Sequence, residues 1–167
     1  MKGEIAVICS RADPASLNIF ECLLKLQDWE PGEGYVFSGR WRLVIHEGKQ
    51  STLSRLDEML AARSLKPELI VFASRHEAKS ALPWLGGHFT GIMEEEQFSL
   101  SAAAPFALRS FLHNLREISL PGYALSAEAT HHGPADVTTP CFFAEIGSTE
   151  REWRDPQAGR AVARAIL

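Results

Sequence analysis

The chain has 167 residues, of which 46% are hydrophobic and 23% are charged, and its formal net charge is −4. These values are typical of one globular domain with a sizeable core; they exclude a disordered or fibrous chain, and no apolar run approaches the roughly 20 residues of a membrane span. The acidic balance argues against sequence-independent nucleic-acid binding over a broad basic surface, but it allows a local basic patch.

The first half of the chain alternates between strand and helix patterns. Ile5–Cys9 is a short apolar run that predicts a buried strand, and Asp13-Pro14 predicts the capped start of a helix. Alternation in residues 40–48 predicts a half-exposed strand, and a second amphipathic helix is expected to be capped near residues 51–52. Because the run at Ile5–Cys9 is too short for the core of a signal peptide, we expect a cytoplasmic protein.

The second half continues the same alternation. Leu69–Ala73 (LIVFA) is the most apolar strand pattern in the chain, and a long irregular stretch is expected from there to about Leu100. The remaining predicted elements are a helix from Pro105, strands at Tyr123–Ala129 and Phe142–Ile146, and a final helix from Pro156.

This alternation predicts an α/β fold with a mainly parallel or mixed sheet flanked by helices. In such sheets, ligands bind outside the carboxyl ends of the strands. Four chemically distinctive segments follow predicted strands, namely SRADPAS, SRH, THHGP and GSTE. We therefore expect a polar cleft lined by His76, His131, His132 and the turn at residues 148–150.

The pair His131-His132 lies in the turn THHGP. Neutral imidazoles are good zinc ligands, and adjacent residues on a turn can offer one ring to a metal and the other as a base. Gly133 is expected to help by adopting a positive φ. The alternative is a pair of solvent-facing loop histidines, and the same choice applies to His76 and His88.

Two glutamates lie close to these histidines in the sequence. Glu145 interrupts the apolar strand FFAEIG, and Glu128 precedes His131 by three residues. An unpaired buried carboxylate is costly, so Glu145 either lies on a solvated face or has a cation, metal or histidine partner. Glutamate with histidine in a cleft suits metal-assisted or general-base hydrolysis, whereas GxGxxG, Walker, GxSxG and HExxH motifs are missing from the sequence.

Several segments together resemble the archaeal and plant type of D-aminoacyl-tRNA deacylase. They are SRADPASLNI, LIVFASRH, HFTG, AAAPFALRSFL, EATHHGPADVTTPCFFAEIGSTEREW and AVARAIL, and they extend over nearly the whole chain. The resemblance implies an α/β fold like that of peptidyl-tRNA hydrolase (phosphorylase/hydrolase-like) and a zinc-dependent cytoplasmic enzyme. Such an enzyme hydrolyses the ester between a D-amino acid, such as D-tyrosine, and the 3′ end of tRNA, a proofreading reaction that recycles mischarged tRNA.

The residue patterns and the resemblance together predict the site. Its roles fall into three classes: metal ligands, catalytic groups and substrate contacts. We predict zinc ligands at His76, His88, His131 and His132, catalytic roles for His131, His132, Glu145 and Glu128, and substrate contacts from Ser74, Arg75, Thr90, Ser148, Thr149 and Glu150.

Two departures from the family pattern are visible. The segment ALPWLGG replaces a polar, serine-rich stretch, and the family's C-terminal Gly-Gly-His-Tyr motif does not follow Leu167. We therefore expect residues 1–167 to form a single α/β domain that is incomplete at its C-terminus, monomeric and without membrane contacts. Two other functions stay open, namely a non-catalytic module that binds tRNA ends or a metal, and a zinc-dependent peptidase or amidase that acts on a small substrate.

Overall fold

A computed structural model describes residues 3–94 and 97–167. It contains one eight-stranded sheet and a separate two-stranded hairpin, with helices on both faces of the large sheet. The strands are β1 (Ile5–Ser10), β2 (Glu30–Pro31), β3 (Val36–Ser38), β4 (Trp41–His46), β5 (Leu69–Glu77), β6 (Trp84–His88), β7 (Gly91–Glu94), β8 (Gln97–Leu100), β9 (Ala124–Ala127) and β10 (Cys141–Ser148). The helices are α1 (Pro14–Leu26), α2 (Leu56–Ala61), α3 (Pro105–Ile118), α4 (Glu150–Trp153) and α5 (Pro156–Ile166), and a short 3-10 helix spans Gln50–Thr52.

The strand order across the large sheet is β2-β3-β4-β1-β5-β10-β6-β9. Strands β4, β1, β5 and β10 are parallel to one another, whereas β6 is antiparallel to β10 and β9 follows the direction of β6. The predicted α/β class with a mainly parallel or mixed sheet is therefore confirmed.

Apolar residues at alternate positions of the central strands form two core layers. On one face they pack against α1, α3 and α5, and on the other against α2. The apolar stripe of the final helix (Ala161, Val162, Ala165 and Ile166) lies in the first of these layers. No helix in the described ranges is long and apolar enough to cross a bilayer.

The prediction of an irregular stretch up to about Leu100 is wrong, because these residues include β6 and the hairpin β7–β8. The segment WLGGH shows no strand periodicity, but its glycines permit close strand contact. A Cβ at Gly87 would lie 2.1 Å from the carbonyl oxygen of Phe143. The second helix also begins later than predicted, because residues 50–52 form the 3-10 turn and α2 starts only at Leu56.

Candidate active site

Six titratable side chains meet on the face of the sheet that α2 also covers. Side chains two residues apart on a strand point to the same face, so Glu145 shares a face with Phe143, and His76 shares a face with Phe72. The apolar core on this face thus becomes polar towards the carboxyl ends of β5 and β10. The group comprises His76, His88, His131, His132, Glu128 and Glu145.

The segment THHGP reaches this site from a strand that runs in the opposite direction. Strand β9 is antiparallel to β10 across β6, so its carboxyl end lies near the middle of β10. Beyond it, the Gly91 N–H donates to the carbonyl oxygen of His132 at 2.9 Å. The rings of His131 and His132 lie 4.5 and 4.7 Å from that of His88. The segment THHGP therefore reaches the site as expected, but from a strand that runs antiparallel to β5 and β10.

Gly133 does not have the positive φ expected for it. Among the described glycines, Gly34, Gly39 and Gly122 have positive φ, and Gly133 does not. A Cβ at Gly133 would instead lie 2.9 Å from the carbonyl oxygen of Ser51. Close backbone approach explains the glycine at this position.

Glu145 is at the centre of the six side chains and is fully buried. Its Oε2 lies 3.6 Å from Nε2 of His88 and 3.9 Å from Nδ1 of His76, and its Oε1 lies 4.0 Å from Nε2 of His132. Neither carboxylate oxygen has a hydrogen-bond partner. The solvated-face interpretation of Glu145 is thus wrong, because the carboxylate is buried among three histidines without a hydrogen bond to any of them.

Three of the histidines are held by backbone carbonyl groups. Nδ1 of His88 lies 2.7 Å from the Phe89 oxygen. The corresponding distances are 2.8 Å from Nδ1 of His131 to the Ala129 oxygen and 2.9 Å from Nδ1 of His132 to the Gly133 oxygen. A carbonyl oxygen only accepts, so each Nδ1 carries the proton. In the neutral form each Nε2 therefore keeps its lone pair, and such backbone bonds commonly orient metal-binding histidines.

Burial and charge affect two of these rings differently. Burial disfavours the charged form of His88, but its interaction with Glu145 outweighs burial and raises the pKa of His88. For His132, burial lowers the pKa, and the neighbouring His88 and His131 act in the same direction. His132 is therefore neutral at pH 7, with Nε2 free to accept a proton.

The six side chains divide into two groups that could each hold a metal ion. In each group the candidate ligand atoms all lie within 4.8 Å of one another. The first group is His88, His131 and His132, and the second is His76, Glu128 and Glu145. In the second group, Nδ1 of His76 lies 3.1 Å from Oε2 of Glu128.

A cleft of about 320 Å³ opens beside these groups. The predicted substrate contacts Ser74 and Arg75 line it. The lining residues that sequence reasoning did not name individually include Asp13, Lys49 and Gln50. Asp13 was named individually only as a helix cap, although its segment SRADPAS was expected at the carboxyl ends of the strands. Its position three residues after β1, where ligands bind in an α/β fold, is the signal that could have added it to the predicted lining.

Asp13 accepts hydrogen bonds on both carboxylate oxygens. Oδ1 caps α1 by accepting from the N–H groups of Ala15 and Ser16, at 2.9 and 3.0 Å. Oδ2 accepts from the Arg75 N–H at 2.9 Å and from the Ser74 hydroxyl at 3.2 Å. Burial raises the pKa of Asp13 despite these bonds.

Four predicted substrate contacts are not brought to this cleft. Ser148, Thr149 and Glu150 line a neighbouring depression beside Lys79 and Trp153. The Ser148 hydroxyl donates to the Leu82 oxygen at 2.7 Å. Thr90 is buried, with its hydroxyl 3.4 Å from the sulfur of Cys141.

Solved structures of two other proteins are among those that share this fold. The crystal structure of AF0625, a conserved protein of unknown function, aligns with a TM-score of 0.90 at 31% sequence identity, covering 98% of this chain and 62% of that one. Purine nucleoside phosphorylase from Toxoplasma gondii aligns with a TM-score of 0.53 at 10% identity, covering 98% of this chain and 91% of that one. At that identity the second alignment shows the fold alone, and it agrees with the predicted phosphorylase-like architecture.

Sequence comparison identifies the family. A D-aminoacyl-tRNA deacylase from Methanothrix thermoacetophila is 51% identical over 165 residues, covering 99% of this chain. This chain spans 62% of the length of that relative. Residues 63–167 match the profile of the D-aminoacyl-tRNA deacylase family. The chain therefore belongs to the D-aminoacyl-tRNA deacylase family.

Proposed function

We propose that this chain contains the ester-cleaving cleft of a D-aminoacyl-tRNA deacylase. Its reaction is hydrolysis of the ester that joins a D-amino acid, such as D-tyrosine, to the 3′ end of tRNA. The observation that carries the proposal is the convergence of four histidines and two glutamates beside one cleft, in a chain of this family. Histidine and carboxylate side chains in a cleft are suited to activating water against an ester carbonyl.

We further propose that zinc is the cofactor. Two features of the residues fit a divalent cation: His88, His131 and His132 each bring one ring nitrogen within 4.8 Å of the others, and both oxygens of the buried Glu145 have no hydrogen-bond donor. Buried charges are normally paired or bound to metal. Bound zinc would lower the pKa of a water molecule and polarise the ester carbonyl.

The side chains then divide by their access to the cleft. His88 is fully buried, so it can hold a metal but cannot touch substrate. His131 and His132 both line the cleft, so one can serve as a ligand while the other accepts a proton from the attacking water. His76 also lines the cleft, and Glu128 and Glu145 orient the histidines beside them.

The cleft also suits one end of a nucleic acid. Its volume of about 320 Å³ is sufficient for an aminoacyl group. Lys49 and Arg75 are cationic side chains on its wall, which also carries carboxylates. These two cations are proposed to contact the phosphate backbone of the tRNA end.

The decisive experiment is release of tyrosine from D-tyrosyl-tRNA and L-tyrosyl-tRNA, each with added zinc and with a chelator. We expect D-selective release that the chelator abolishes. Tyrosine release that is indifferent to the attached tRNA would favour the small-substrate hydrolase. If the zinc-loaded protein binds tRNA without turnover, the proposed enzymatic activity is contradicted and the non-catalytic binding module is favoured.

A further inference from the structure

The end of β5 that carries His76 is attached to the start of α1. Oδ2 of Asp13 accepts from the backbone N–H of Arg75 and from the hydroxyl of Ser74, the two residues that precede His76. Because Oδ1 is occupied by the first turn of α1, one carboxylate joins the helix to the strand end. Asp13 thus has no acceptor position left for a substrate.

The same strand end is also held by Trp153, which lies in the core layer that α1 covers. The indole N–H of Trp153 donates to the backbone oxygen of His76 at 2.9 Å. The guanidinium of Arg75 lies 4.9 Å from the centre of the Trp153 ring. Trp153 belongs to the segment GSTEREW, whose Ser148, Thr149 and Glu150 lie outside the cleft. This segment therefore contacts the end of β5 through Trp153, although its first residues lie outside the cleft.

The ring of His76 fits closely between its neighbours. A Cβ added to Gly147 would lie 2.6 Å from Cδ2 of His76, and the ring of Trp84 is 4.6 Å away between centroids. With the backbone held by Asp13 and Trp153, Nδ1 of the ring lies 3.1 Å from Oε2 of Glu128 and 3.9 Å from Oε2 of Glu145. Small shifts of a supporting backbone are known to weaken catalytic sites, so this support matters for function.

We propose that Asp13 and Trp153 are positioning residues that hold the end of β5, so that the His76 ring is directed at Glu128 and Glu145. This inference rests on the proposed function for its effect on catalysis, but the position of the ring can be measured without activity. Neither residue touches the reacting atoms. Their effect is expected in the orientation of His76 and in the rate of ester cleavage.

The chain offers a matched control for each residue. Asp155 caps α5 in the same Asp-Pro arrangement, with Oδ1 accepting from the Gln157 N–H at 2.8 Å and Oδ2 from the Tyr123 hydroxyl at 2.7 Å. Trp29 donates its indole N–H to the Leu23 oxygen at 2.9 Å. Neither control residue lines the cleft. The test variants are therefore Asp13→Asn and Trp153→Phe, and the controls are Asp155→Asn and Trp29→Phe.

Asparagine can still cap a helix, but its amide nitrogen cannot accept from the Arg75 N–H. Phenylalanine keeps a ring beneath Arg75 and loses only the donor to His76. We expect each test variant to lower kcat/KM for D-tyrosyl-tRNA by about 10-fold or more, the range seen when groups that support a metal ligand are lost. In each control variant, kcat/KM should stay within about twofold of the value for the unchanged chain. The melting temperature of each control should fall by about as much as that of its matched test variant.

The orientation of His76 gives a separate measurement. Three-bond NMR couplings to its β protons should indicate one χ1 rotamer in the unchanged chain and in both controls, and averaged rotamers in both test variants. Retention of one rotamer in the test variants would overturn the inference, whatever the activity. If the unchanged chain cleaves no ester, the proposed function fails while the coupling result still decides the positioning role. Equal losses of kcat/KM in test and control variants would reduce Asp13 and Trp153 to ordinary stabilising residues.

Discussion

Strands β5 and β10 are paired along their length, but their two halves differ in chemistry. In the first half, Phe72 lies opposite Phe143, and the two rings stack at 4.8 Å within a buried cluster. In the second half, Ser74 lies opposite Glu145 and His76 lies opposite Gly147. The first half is entirely apolar and the second contains buried polar atoms without partners.

This contrast separates stability from function within one pair of strands. Apolar burial in the first half favours folding by roughly 25 cal/mol per Å². An unsatisfied buried polar group in the second half costs about 1–3 kcal/mol. Such a cost persists where the groups are needed for ligand or substrate, which is the usual relation between active sites and the cores that support them. Mutations in the first half should therefore lower stability more than activity, and mutations in the second half should lower activity more than stability.

The largest effect is expected from the apolar half. Phe72→Ala should lower the free energy of unfolding by about 3–5 kcal/mol, because it removes a fully buried ring and leaves a cavity. Urea denaturation measures this change. Phe72→Leu, a milder change, should lower stability less and leave kcat/KM per folded molecule unchanged. A large loss of activity in the leucine variant at unchanged stability would show that the two halves are not separable.

The next effect comes from the cleft. His132→Ala should reduce cleavage of D-tyrosyl-tRNA by roughly 100- to 1,000-fold with little change in melting temperature, because the ring acts on water or metal and adds little to the core. His113→Ala, in the exposed part of α3, is the matched control and should retain activity. Near-normal turnover in the His132 variant would remove the histidine pair from the mechanism.

Two buried glutamates sharpen the comparison further. Glu145 has no hydrogen-bond donor, whereas Glu152 accepts from Thr149 and Arg151. With chelator at pH 8, Glu145→Gln should leave the free energy of unfolding unchanged or raise it by about 1 kcal/mol. Under the same conditions Glu152→Gln should lower it by about 1–3 kcal/mol. Activity should fall about 10- to 100-fold in Glu145→Gln. A strong loss of stability in that variant would contradict the assignment of Glu145 to function.

The smallest effect concerns the pH dependence of Asp57, which binds Thr138 and Thr139 in the segment after His131-His132. Burial alone would raise the pKa of Asp57, but hydrogen bonds from Thr138 and Thr139 outweigh burial and lower it. A folded-state pKa below the unfolded value means that ionised Asp57 stabilises the fold at neutral pH, and that this contribution is lost as pH falls through the folded pKa.

Asp57→Asn should therefore cost about 1 kcal/mol of unfolding free energy at pH 7, and less below roughly pH 4. Parallel urea titrations of both proteins across pH check this result. A difference in stability that does not depend on pH would show that the charge of Asp57 is not what holds Thr138 and Thr139.

Local patterns in the sequence determined the fold class, the main strands and helix starts, and the reactive residues of the candidate site. The buried strand runs at Ile5 and Leu69, the helix starts at Asp13-Pro14 and Asp155-Pro156, and the α/β class all follow from short-range rules of periodicity and capping. The same reasoning selected the four histidines and two glutamates that meet in space, because each is a reactive residue type at a strand end or within an apolar run.

Only the tertiary structure decided which of these residues share one cleft. The reversed direction of β6 and β9, the partners of Glu145 and the exclusion of residues 148–150 all depend on contacts between distant segments. Asp13 shows the reason most clearly. Its cap is encoded within three residues, but its bond to Arg75 crosses 62 positions and forms only when β1 and β5 are paired. Periodicity and capping describe neighbours along the chain, and the pairing of strands decides which of them meet.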